Sequence, residues 1–172
     1  MSFFSAPSAA VSYPPDSIPA EVQQVARRGA AHDKPPPSAL TPLFSTPPDT
    51  SPDVHWHTLP DRALALLETA GTAHRADLDL LMRMVAGPTP EAIAAIRLAS
   101  LIGEAGLAPL DTVHDLLDEA LGSRRPALRR AAGEAFWLLA DRTAVPRLAQ
   151  ALSCETDPDV RHTLEHVLRL LG

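Results

Sequence analysis

From Asp61 onward, apolar residues recur at spacings of three and four, and polar or helix-breaking residues interrupt them at regular intervals. Leu128, Ala131, Ala132, Ala135, Phe136 and Leu139 fall on one face of a predicted helix. Ser123 is a suitable N-cap for it, and Pro126 sits just inside its start, where a missing N–H costs nothing. Ala140-Asp141-Arg142-Thr143 breaks the pattern. A short second helix follows, with Val145, Leu148, Ala149, Ala151 and Leu152 apolar and Pro146 in its first turn. Two amphipathic helices joined by so short a connection lie antiparallel.

The same arrangement recurs. Thr89-Pro90-Glu91 opens a helix through Ile93, Ile96, Ala99 and Leu101 that Gly103 and Gly106 are expected to close. Pro109 opens a partner through Val113, Leu117 and Leu121. Asp157-Pro158-Asp159 opens another, with Val160, Leu164, Val167, Leu168 and Leu171 apolar. Upstream, Asp61 to Ala70 ends at Gly71, and His74 to Ala86 ends at Gly87. The opening prolines stand 36 and 32 residues apart, and those of the second helices 37 apart. A helix-pair period in the thirties predicts an all-α chain built as a short α-solenoid, with about three and a half antiparallel pairs over residues 58–172. Leu128, Ala132, Leu148, Leu164 and Leu168 are its expected core.

Residues 1–57 read as a different polymer. Of the eighteen prolines, twelve lie in residues 1–60, which favours extended, polyproline-like chain. One short helix is expected at 18–28, with Ser17 as cap and Gly29 as stop. Phe3, Phe4, Tyr13, Phe44 and Trp56 are five of the seven aromatic residues, more than a solvated linker carries. They are read either as incidental apolar residues of a mobile tail or as marking an N-terminal arm whose anchors Leu43, Phe44 and Trp56 pack on helical surface of the same chain, a second copy or another protein.

The segments AVPRLAQAL (144–152), RRPALRRAA (124–132) and DPDVRHTLEHVLRLLG (157–172) resemble short bacterial HEAT repeats, including those of phycobilisome lyase-like proteins. The resemblance covers about residues 60–172. It implies stacked helix pairs with an Asp in the turn and a basic residue early in the second helix, which Asp141 and Arg147 match. In the preceding unit those positions are Glu104 and Leu110, so the acid–base ladder is incomplete.

Charge narrows the partners. The net charge is −6, of which −2 falls in residues 1–60. That is not the footprint of a nucleic-acid or anionic-membrane binder. The single cysteine, Cys154, forms no internal disulfide and fits a reducing, cytoplasmic setting. The N-terminus lacks the basic region of a secretory signal, and no apolar run is long enough to span a membrane.

Candidate chemistry reduces to a few constellations. His162-Thr163-Leu164-Glu165-His166 spells the inverted zinc-protease motif, but the register leaves His162, Glu165 and His166 on a solvated face, and no acid follows far downstream. His55 and His57 flank Trp56 as a similar lone pair. Trp137 and Asp141 share a helix face, as in HEAT-like DNA glycosylases, yet the acidic charge favours packing of Phe136-Trp137 between helices or at an interface, and a turn role for Asp141. Arg124, Arg125, Arg129 and Arg130 are expected to be neutralised by Asp115, Asp118 and Glu119. These readings assign no catalytic residue, cofactor or metal.

The expected function is non-enzymatic: a scaffold or adaptor that holds a polypeptide partner on the solenoid surface or through its arm, or associates with itself there or through the terminal helix. The candidate partner-binding residues are Asp111, His114, Asp115 and Asp118 on one second helix and Arg147 and Gln150 on the next. The alternative, implied by the resemblance, is a cofactor-handling factor like the HEAT-type bilin lyases.

Overall fold

The computed structural model describes residues 37–44 and 58–172. The expected helix at 18–28, the histidines His55 and His57, and the anchor Trp56 lie outside the described residues. Every regular element among the described residues is helical. Seven helices are named here α1 (Leu59–Ala70), α2 (Arg75–Ala86), α3 (Thr89–Glu104), α4 (Leu110–Leu121), α5 (Pro126–Leu138), α6 (Val145–Cys154) and α7 (Pro158–Leu171). A single helical turn, Thr41–Phe44, precedes them, and a 3-10 turn, Arg142–Ala144, leads into α6.

The ends follow local chemistry. Asp157 caps α7: its Oδ1 accepts from the N–H groups of Asp159 and Val160 at 3.0 and 3.1 Å, and Pro158 fills the position where a missing donor is harmless. Asp141 does the same for the 3-10 turn through Thr143. Ser123, by contrast, does not cap α5. Its Oγ accepts from Arg125 N–H at 3.2 Å, closing a tight turn ahead of the helix that begins at Pro126. Gly103 does not end α3 either. It is buried inside the helix, where a Cβ would stand 2.7 Å from Leu139 Cδ2 and 3.3 Å from Val113 Cγ1. Its lack of a side chain serves close packing, and the left-handed stop is Gly106, at φ +67°.

Packing sorts the helices into two layers. The odd-numbered helices pack in succession, α1 on α3, α3 on α5 and α5 on α7. On the other side α2 packs on α4, and the layers are joined through α2–α3, α3–α4, α4–α5 and α6–α7. Leu128, Ala132, Leu148 and Leu164 are fully buried, as the periodicity predicts. Leu168 is only partly buried, because the inward stripe of α7 runs through Val160, Leu164, Val167 and Leu171 and leaves Leu168 at its edge. α5 packs closely on α7 at Gly133, where a Cβ would lie 2.9 Å from Leu164 Cδ2.

The packed unit reaches back to Pro37. Leu40 is completely buried, and Leu43 and Phe44 pack against the core as partly buried residues. Leu40 N–H donates to Asp77 Oδ1 at 3.2 Å, and His74 N–H donates to Asp77 Oδ2 at 3.1 Å. Asp77 is itself wholly buried, so these two donors replace the water its carboxylate has lost.

Candidate functional site

The site is assembled by α4 and α6, the two helices on which the sequence placed its partner-binding residues. On α4, Asp111, Asp115 and Glu119 are exposed and Asp118 is half-buried. The apolar stripe of Val113, Leu116, Leu117, Ala120 and Leu121 faces inward and turns these carboxylates to solvent. The helix carries no Lys or Arg. Arg147 and Gln150 are exposed on α6. Arg147 Nε lies 3.5 Å from Asp118 Oδ2, an ion pair with both side chains partly exposed.

His114 is the exception among the predicted residues. It is 7% exposed and belongs to the interior, not to the binding surface. Its position explains this: it stands three residues before Leu117 and seven before Leu121, on the buried stripe. The imidazole packs against Phe136, with ring centroids 5.8 Å apart, and its Nε2 lies 2.8 Å from Asp141 Oδ2. That approach falls outside hydrogen-bond geometry, so the contact is electrostatic. Burial alone would raise the Asp141 carboxyl. The Thr143 hydroxyl and amide, with help from His114 and Arg147, outweigh it and hold its pKa below the usual aspartate value. Asp141 and Arg147, the expected turn pair, therefore share a field, but the close partner of Arg147 is Asp118.

α4 and α6 meet only sparsely and leave a groove of about 630 Å³ between them. Asp118, Arg147, Gln150 and the exposed Cys154 line it, with Leu121 and Ala151 as apolar wall. Its deepest polar feature is an ion pair the sequence did not reveal. Arg129 Nε and Nη2 donate to the two oxygens of Glu155, each at 2.7 Å. The Glu155 side chain is 3% exposed, and the amides of Thr156 and Asp157 donate to the same carboxylate at 2.9 Å. Against the opposing effect of burial, the Arg129 hydrogen bonds and these amides bring the Glu155 pKa down to about 2. Nothing in the helical period links Arg129 to a residue 26 positions away.

The other arginines are also placed differently from expectation. None pairs with Asp115, Asp118 or Glu119. Arg125 reaches α2, donating to the carbonyls of Val85 at 2.6 Å and Gly87 at 2.5 Å. Arg130 lies 3.4 Å from Glu134, one turn along α5. Arg124 and Arg125 precede α5, whereas Arg129 and Arg130 lie within it and diverge by about 100° around its axis, so the charges are scattered rather than clustered. Phe136 is fully buried between helices, whereas Trp137 beside it is 47% exposed. His162 and His166 are exposed on α7 and share a groove with Glu134 and Trp137. Among the described residues no three His, Cys, Asp or Glu side chains are grouped to hold a metal ion, and no helix is long and apolar enough to cross a membrane.

No protein-family model matches the chain, and no curated protein matches it significantly.

Proposed function

We propose that this protein is a non-enzymatic adaptor, an α-solenoid of HEAT-like helix pairs that holds a basic segment of a polypeptide partner against α4 and α6. The reading is carried by one observation: the solvent side of α4 presents Asp111, Asp115, Asp118 and Glu119 with no cation on the same helix. Their charges add at the surface, and the groove beside them supplies apolar wall and a concave shape. Arg147 is the single cation of α6 and fixes the register of a bound chain by excluding a basic residue from its own position. The order of packing, each odd helix on the next, supports the solenoid reading, because stacked pairs that bury one face against their neighbours expose a long binding surface.

The test combines Asp111→Lys, Asp115→Lys and Asp118→Lys in the full chain. Partners captured by the native protein from its host are expected to be lost or at least tenfold weaker with the triple variant. Association of the native pair is expected to slow as salt rises. Retention of the same partners with the same salt dependence would remove α4 as the binding surface.

A further inference from the structure

The odd-numbered layer carries a second constellation that the acidic surface of α4 does not use. Trp137 stands near the end of α5 with 47% of its surface exposed, although tryptophan is among the most buried residues on average. Two grooves flank it. One, of about 360 Å³, is lined wholly by α3 and α5 and is mostly apolar: Ile93, Ile96, Ala131, Ala135 and Leu138 form its walls. The other, of about 390 Å³, is lined wholly by α5 and α7, through Glu134, Trp137, His162, Thr163, His166 and Val167. Glu134 and Trp137 belong to both, three residues apart on one helix face.

The two grooves differ in charge. In the α5/α7 groove the one acidic side chain is Glu134, beside the indole of Trp137. An indole face attracts a cation, and an adjacent carboxylate strengthens that attraction. Glu134 already meets Arg130 at 3.4 Å, but both side chains are more than half exposed, so a ligand cation exchanges with Arg130 at little cost. The α3/α5 groove shares Glu134 at its rim but also contains Arg97, with which no carboxylate forms an ion pair among the described residues. Arg97 disfavours a ligand cation on that side and leaves the apolar walls for an apolar group.

We propose that this face binds an extended peptide segment crossing α5. Its apolar side chain fills the α3/α5 groove, and its Arg or Lys side chain lies on Trp137 beside Glu134. The grooves are one helix apart, about 10 Å. A chain in the extended polyproline II conformation advances about 3.1 Å per residue and repeats every three residues, so apolar and basic residues three positions apart span this distance on one face. The ligand is thus a short apolar-x-x-basic segment, and its site is separate from α4.

The reporter is the indole itself. The sequence has two tryptophans, so Trp56→Phe leaves Trp137 as sole emitter. This protein is titrated with capped peptides that carry one leucine and one arginine three positions apart in a serine–glycine background. Control peptides replace the arginine with glutamine or the leucine with serine. The expected result is a saturable change in Trp137 emission with the leucine–arginine peptide and binding at least tenfold weaker for each control. Glu134→Gln is expected to weaken the leucine–arginine peptide several-fold and leave the glutamine control unchanged. Trp137→Ala, followed by calorimetry, is expected to abolish binding while helical circular dichroism is retained. Should that variant unfold, Trp137→Phe and Glu134→Gln carry the test, since both retain the buried core. The proposal fails if no peptide gives a saturable change up to about 1 mM, or if Glu134→Gln weakens both peptides equally. It also fails if the triple Lys variant of α4 removes binding that Glu134→Gln leaves intact, which would place the peptide on the acidic surface.

Discussion

Glu155 shows how one side chain stays ionised in the interior. Four donors, two from Arg129 and one each from Thr156 and Asp157, surround its carboxylate. With its pKa brought from 4.5 to about 2, the folded protein binds fewer protons at this site than the unfolded chain does. Its contribution is therefore complete above about pH 4.5 and is lost as pH falls toward 2, on the order of 3 kcal/mol in all. Denaturant melts at pH 7 and pH 3 should show the native protein losing about 2 kcal/mol of it, and Glu155→Gln, weaker at pH 7, losing less between the two. Parallel losses in both proteins would mean that the pair is not the source. Arg129→Ala at pH 7 should cost on the order of 3 kcal/mol, because it leaves a buried carboxylate with amide donors alone. The sequence displays Arg129 as one of four neighbouring arginines, and local spacing cannot say which carboxylate each will find.

At the scale of the helices, sequence and structure agree where the physics is local. Prolines at first turns, Asp157 as a cap and stripes of period three to four place all seven helices within a few residues. What is not local was misread. Gly103 looks like a terminator because glycine usually is one, yet it lies where α3 must approach α4 and Leu139. His114 looks like a surface residue because it is polar, although its spacing from Leu117 marks it as interior. Of the candidate surface, Asp111, Asp115, Asp118, Arg147 and Gln150 were legible from helical phase, whereas the groove between α4 and α6 depends on how far apart two helices stand. The contact of α5 with α7 offers a direct check. Gly133→Ala should gain about 1 kcal/mol of helix propensity. It must also force Leu164, fully buried, away from a contact of 2.9 Å. Overpacking costs about 1–3 kcal/mol, so the expected outcome is a lower Tm, and a higher one would show that α7 yields easily.

For the molecule as a whole, Leu40 and Asp77 show that the packed unit extends upstream of the helical period. No pattern in the sequence ties a proline-flanked leucine to an aspartate 37 residues later. The even layer is the looser one, with α2 on α4 but α4 and α6 apart, and the proposed binding groove lies in that looser region. Arg125 acts across a longer span. From the threshold of α5 it ties down the carbonyls of Val85 and Gly87 at the end of α2, bypassing the α3–α4 pair between them. In a linear array whose units touch only adjacent units, melting can begin at one end and leave the other standing. If the helices are stacked as proposed, this bond resists such fraying, since α5 cannot detach without uncapping the end of α2. Arg125→Ala should therefore broaden the denaturant transition and lower its apparent m-value more than a loss of stability alone would. Helical and indole signals that superimpose in the native protein should then separate, the C-terminal helices leaving first.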